Sequence, residues 1–206
     1  MYYIIGRRMN MGKRQEAALE TKKKIIEAVK QLLEQKSPEE ISIEEITKKA
    51  CIAKGSFYTH FKRKEDVILE IDFQEYAFLK DDVSRIQGVE QQLSYYLIQS
   101  VKIIEKNSLS VARQWMKGAV APLQEEKAGT RKYRFDYDNI LSILNNGIDQ
   151  KELKQTTPVE ILTEMMMNQY YGAVASWCIL GQERSLVSMM EHYCQYELKI
   201  LLQDYQ

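Results

Sequence analysis

The sequence predicts an all-α protein of about nine helices, and three observations carry that expectation. The 206 residues include 9 Gly and only 3 Pro, and Leu, Ile, Glu, Lys, Gln and Met dominate, a composition that favours long helices over strands. Apolar residues recur three and four apart along most of the chain, the period of a helix with one face turned inward. They amount to 45% of the sequence, enough to bury a core as one large or two small domains.

From Glu16 to Gln35, Ala18, Ile25, Ala28, Val29, Leu32 and Leu33 form the apolar stripe of a first helix. Pro38 ends it, because proline disfavours helix at Ser37 and lacks a backbone donor. Ser42 and Glu45 then make an S-x-x-E capping box, in which each side chain satisfies a free amide at the start of a second, short helix running to about Ala50. Cys51-Ile52-Ala53 is a turn, and a third short helix covers Lys54 to His60. Three helices within about 45 residues, the last two joined by so short a turn, have the dimensions of a helix-turn-helix. A fourth helix from Lys64 or Glu65 toward Asp82 connects this head to the body. Further helices are expected at Val89 to Lys106, Leu109 to Val120 and Tyr133 to Gly147, with the polar run from Pro122 to Thr130 as a loop. Pro158 opens a strongly apolar helix, and after Gly181 comes a last one.

Charge is unevenly placed. Residues 1–64 hold 15 basic against 8 acidic residues, and residues 65–206 hold 14 against 21, so a net charge of zero hides a basic front on an acidic body. That pattern fits a chain whose first segment alone meets a polyanion. Cys51, Cys178 and Cys194 are an odd count without C-x-x-C spacing, which argues against a disulfide framework and fits reduced thiols. No apolar run approaches the length of a membrane span, and the start lacks the order of a secretory signal. A cytoplasmic location without membrane contact is therefore expected. Residues 1–15 are expected to be a disordered arm or a product of start-site choice, Met9 and Met11 being rival starts.

The segment IEEITKKACIAKGSFYTHFKRKED, Ile43 to Asp66, resembles the signature of the TetR (tetracycline-repressor) family. Ile46, Ala50, Ile52, Gly55, Phe57, Tyr58, His60, Phe61, Lys64 and Glu65 fill its diagnostic places. The resemblance covers the head alone. It implies a dimeric transcription regulator with a DNA-binding domain at residues 16–64 and a helical ligand-sensing and dimerisation domain at residues 65–206. The family usually has Gly where this chain has Cys51; if that residue is left-handed, the cost is on the order of 1 kcal/mol.

The resemblance makes double-stranded operator DNA the expected partner, with an inverted repeat to match the two-fold symmetry. Lys48, Lys49, Lys54, Lys62, Arg63 and Lys64 supply charge for the phosphates. Tyr58 and His60 are expected to hydrogen-bond phosphates, and Lys64 to meet the backbone at the start of the fourth helix. Ser42, at the second helix start, joins this set. With Phe57 and Phe61 assigned to the core, Lys54, Gly55, Ser56 and Thr59 remain to face bases. Lys54 would donate to guanine, Gly55 allow close approach, and the Thr59 methyl touch thymine.

For the body, Tyr96, Trp115, Met116, Tyr133, Tyr137, Met166 and Tyr170 are the candidate lining of an apolar effector pocket with a few polar handles. The stripes of the two terminal helices read either as closing the chain's own core or as a homodimer interface. The second reading is adopted, with Tyr170, Val174, Trp177, Leu186, Met190, Tyr193, Leu198 and Leu201 at the contact. His60 and His192 are the only histidines. His192 with Glu191 and Cys194 lacks an oxyanion donor or third orienting group, and with Cys178 it fits no usual metal spacing. No catalytic, metal or cofactor site is expected. The functional expectation is thus a repressor released by a small, largely apolar effector, with an activator, a regulator answering to a protein partner, or a helical interaction protein as alternatives.

Overall fold

The computed structural model describes residues 13–120 and 128–206, and among them every regular element is helical. The expected N-terminal arm falls almost wholly outside the described residues. The order is α1 (Lys13–Leu33), α2 (Ile43–Lys49), α3 (Lys54–His60), α4 (Lys64–Val83), α5 (Val89–Lys106), α6 (Leu109–Val120), α7 (Ala128–Asp149) and α8 (Val159–Leu180). A final rod runs unbroken from α9 (Leu186–His192) through a π-helical stretch (Tyr193–Leu198) into α10 (Lys199–Gln203).

Two hydrophobic cores organise these helices. The head core joins α1, α2, α3 and the first half of α4 around Ile25, Val29, Ile46, Phe57, Phe61, Val67 and Ile68. The body core joins the second half of α4 with α5 to α10. Helix α4 thus serves both: Val67, Ile68 and Ile71 pack in the head, while Tyr76, Leu79 and Val83 pack in the body. Val111 of α6 reaches the head core as well, and Ser110 Oγ donates to the Glu39 carboxylate at 2.7 Å. Helix α5 runs through the middle of the body, and its Glu105 carboxylate accepts from the Leu186 and Val187 amides and the Ser185 hydroxyl, fixing the start of α9. Gly147 lets α7 cross tightly, because a Cβ there would meet Val89 Cγ2 at 3.0 Å.

Helix α7 begins at Ala128, five residues before the expected start, so part of the polar run read as a loop is helical. This difference matters, because it brings Lys132 onto the inward face of the body. The largest correction concerns the terminal helices. Tyr170, Val174, Trp177, Leu186, Met190, Tyr193 and Leu198 are all buried within the single chain, and Leu201 packs partly buried against the same core. They close the body and are not surface. The apolar residues of these helices left outside are Ile161, Met165, Ile179, Leu180, Tyr196 and Ile200.

Candidate nucleic-acid interface and sensor cluster

The head geometry grows from local rules. Ser42 caps α2, accepting from the Glu45 amide at 3.2 Å while Glu45 accepts from the Ser42 amide at 3.0 Å. Lys36 and the Ser42 amide hold the Glu45 carboxyl down at about 2. Helix α2 ends at Ala50, and Cys51 turns left-handed with φ 53°. The Cys51 amide donates to Lys48 O at 3.2 Å and the Ile52 amide to Thr47 O at 3.0 Å. These are the two bonds of a Schellman stop, a position where glycine is the least strained residue. The strain anticipated at Cys51 is therefore present.

Helix α3 points Phe57 and Phe61 inward, their centroids 6.0 Å apart. The opposite side is open. Lys54, Gly55, Tyr58 and Thr59 are exposed and Ser56 and His60 half-buried, with exposed Lys62 just beyond. A Cβ built on Gly55 would meet nothing within 4 Å. Glycine inside a helix costs about 1 kcal/mol relative to alanine, and no contact among the described residues requires it there. Lys54 forms an ion pair with Glu44, which burdens its ammonium with a rival anion. The Thr59 hydroxyl donates to Gly55 O at 3.1 Å, leaving its methyl free. The Ser42 hydroxyl is engaged by its capping partner.

Lys64 departs from its expected role. Its ammonium donates to the carbonyls of Pro38, Glu39 and Ile41 at 2.7, 3.0 and 2.7 Å, so all three N–H groups are engaged by the loop between α1 and α2. Lys64 is a staple of the head rather than a free cation. Charge-assisted hydrogen bonds contribute more than neutral ones, though partial exposure reduces the total. Lys64→Met is expected to lower head stability by about 2 kcal/mol. In urea unfolding its midpoint falls, while the salt slope of duplex binding stays within half a counterion of wild type. A slope reduced by about one with an unmoved midpoint would restore the phosphate role.

In the body, the structure assembles a polar cluster that sequence reasoning missed. Lys132 and Asp136, one turn apart on α7, form a buried ion pair. Asp136 also accepts from the Tyr96 hydroxyl at 2.6 Å and the Tyr171 hydroxyl at 2.8 Å. The Lys132 ammonium lies 3.8 Å from the Tyr76 ring centroid and 5.3 Å from that of Tyr170. Asp72 of α4 is also buried, close enough for its charge to act on Lys132, and accepts from the Asn107 side-chain amide at 2.7 Å. Burial raises Asp72 to about 7, Asn107 opposing only part of that shift. Desolvation likewise pulls Lys132 below the ordinary lysine value, against the pull of Asp136. The Tyr96 and Tyr171 hydroxyls are pushed up by burial and by Asp136, so both remain donors.

Of the expected pocket residues, Tyr96 and Tyr170 belong to this cluster. Trp115 is buried, its ring 5.8 Å from that of Tyr171. Tyr133 packs 5.2 Å from Tyr171 at the surface, 42% exposed. Met166 is fully buried, and Met116 and Tyr137 are partly buried against the core. The missed members carried one readable signal, a Lys and an Asp four apart, which by itself reads as a solvated pair.

The cluster is wired to the head. Arg131 stacks on the Phe73 ring of α4 at 3.8 Å and lies 3.8 Å from the Glu70 carboxylate, which pairs with Lys22 of α1 at 2.9 Å. Phe73 and Phe135 pack at 5.4 Å.

Comparison with known proteins agrees with this architecture. The family described as bacterial regulatory proteins, tetR family, matches residues 25–71, the head together with the start of α4. The fatty acid metabolism regulator protein of Bacillus subtilis (strain 168) is 22% identical over 173 residues, spanning 80% of this chain and 87% of that protein. Thermus thermophilus FadR, solved with lauroyl-CoA, superposes with a TM-score of 0.64 at 19% identity over 84% of this chain and 91% of that one. Bacillus subtilis FadR, solved with stearoyl-CoA, gives 0.57 at 16% identity over 86% and 95%. Among the described residues no helix is long and apolar enough to cross a membrane. A helix-turn-helix of this form on an all-helical body makes the chain a DNA-binding transcription regulator, and its residues 25–71 are a DNA-binding domain of the kind described as bacterial regulatory proteins, tetR family.

Proposed function

We propose that the chain is a repressor that holds a palindromic operator as a homodimer and lets go when a small, largely apolar effector enters its body. Residues 16–64 are the reading head and residues 65–206 the sensing and dimerising body. The observation that carries the DNA contact is the bare outer face of α3. Phe57 and Phe61 anchor the helix from below, and Lys54, Gly55, Ser56, Tyr58 and Thr59 are left for the major groove. A glycine without an internal packing reason at Gly55 fits close approach of DNA. Tyr58, His60 and Lys62 then serve phosphates, and Ser42 contributes by holding the start of α2.

The partner surface is the exposed stripe Ile161, Met165, Gly172 and Ile179 of α8 with Tyr196 and Ile200 of the last rod. These residues replace the buried set expected from sequence, and contiguous exposed apolar surface of this kind marks an interface. The wiring through Arg131, Glu70 and Lys22 supports a change in the body biasing the separation of two heads, which both must fit adjacent grooves. The acyl-CoA ligands of the two FadR structures make acyl thioesters the first effector series to screen.

The test is binding to palindromic duplexes selected from random sequence, followed by fluorescence anisotropy. A two-chain species is expected by light scattering, with affinity falling at least about tenfold between 50 and 200 mM salt. Lys54→Ala is expected to relax base preference at one position of each half-site, beyond weakening all duplexes. A single-chain species indifferent to palindromes at low salt would overturn the reading.

A further inference from the structure

The polar cluster in the body has the make-up of a cation receptor. Around one ammonium, that of Lys132, stand the ring faces of Tyr76 and Tyr170 and the carboxylate of Asp136. Two more tyrosines, Tyr96 and Tyr171, hold that carboxylate in place by donating to both its oxygens. A second carboxylate, Asp72, lies one turn before Tyr76 on α4. Tyrosine faces attract ammonium ions most strongly where water is excluded, and here Lys132 is 4% exposed and Asp136 1%.

Core stability does not explain such a group. A buried ion pair is often matched or bettered by apolar side chains of the same volume. Two buried hydroxyls beside it, those of Tyr170 and Ser100, lie close enough to interact with each other but have no hydrogen bond of good geometry among the described residues. Buried polar groups are ordinarily satisfied, so these two are available to a polar atom that is not part of the chain. An anionic head would meet Asp136 and Asp72, whereas a cationic one would meet the surroundings Lys132 already enjoys.

Lys132 is also placed to leave. It lies in the second turn of α7, near the start of that helix, and its sequence neighbours Arg131 and Tyr133 are both exposed. We propose that the cage of Tyr76, Tyr170, Asp136 and Asp72 is the receptor for the amine or quaternary-ammonium head of an otherwise apolar effector. Lys132 is the built-in occupant that the effector displaces. This rests on the ligand-responsive reading above and names the effector's charged end. Withdrawal of Lys132 shifts the start of α7, and its neighbour Arg131 then slackens its hold on Phe73 and Glu70, the contacts that tie α7 to α4 and through Lys22 to the head.

The experiment uses the full-length chain, benzyltrimethylammonium as probe, and octanoate and lauroyl-CoA as anionic comparators. Binding is read by calorimetry and by tyrosine fluorescence. Wild type is expected to bind the ammonium probe and not octanoate. Lys132→Met, which removes the internal competitor, should bind it at least about tenfold tighter. Tyr76→Leu, in the wild-type background, should weaken binding at least about tenfold, since a cation held by ring faces loses its partner. Should Lys132→Met fail to fold, the comparison of wild type with Tyr76→Leu still decides. Absence of ammonium binding by wild type, equal affinity in wild type and Tyr76→Leu, or equal affinity in wild type and a folded Lys132→Met would overturn the receptor. Probe bound in the cage with unchanged operator affinity would instead remove the repressor-release reading and leave the receptor standing. Release by lauroyl-CoA alone would do the reverse.

Discussion

Asp136→Ala is expected to destabilise the protein by about 3–5 kcal/mol, the cost of breaking a buried pair and leaving one charge behind. The substitution takes three donors' acceptor away at once: the Lys132 ammonium and the hydroxyls of Tyr96 and Tyr171. None of the three is placed to find water, because Lys132 and Tyr96 are buried and Tyr171 largely so. The double replacement Lys132→Met with Asp136→Leu removes both charges and is expected to recover most of the loss, since desolvation of the pair disappears with its attraction. Urea unfolding of wild type, the single and the double variant measures both quantities. A single variant within about 1 kcal/mol of wild type would mean that the pair is solvated and that the cluster is not the sealed group described here.

Asp72→Asn is expected to stabilise the protein at neutral pH and to do nothing in acid. Burial lifts Asp72 from its ordinary 3.8 to about 7, so between those values the native state keeps a proton that the unfolded chain gives up. Stability therefore falls as pH rises from about 4 to about 7 and levels off above. Roughly three pKa units correspond to at most about 4 kcal/mol. Asparagine imitates the protonated form and still offers an oxygen to Asn107, which donates to Asp72 at 2.7 Å. Thermal unfolding from pH 3.5 to 8 should show two curves that meet at the acid end and diverge by about 2–4 kcal/mol at the alkaline end. Parallel curves would assign the charge of Asp72 to solvent.

Much of the head was legible because its determinants are local. The Ser42–Glu45 capping box, the Phe57 and Phe61 pair at helical spacing and the turn Cys51-Ile52-Ala53 each involve residues within a few positions of one another. The body was legible only as a set of helices. Helix α8 shows why: Leu162, Met166, Tyr170, Val174 and Trp177 face the chain's own core while Ile161, Met165 and Ile179 face outward, and both sets are apolar. A helix apolar on more than one side carries no mark saying which side is inward. The same ambiguity hid Lys132 and Asp136, whose spacing on α7 is that of an ordinary surface pair.

The amino-acid order alone therefore determined the helical class, the helix-turn-helix and the division of charge between head and body, because period, caps and turns act within a turn or two of chain. Only the tertiary structure decided which charged groups are paired, which apolar stripe remains exposed, and whether a cation is free. Lys64 is the plainest case: the carbonyls that engage it lie 23 to 26 residues earlier in the chain. A hydrogen bond or an ion pair depends on distance in space and on the exclusion of water, and neither is written in the neighbouring residues.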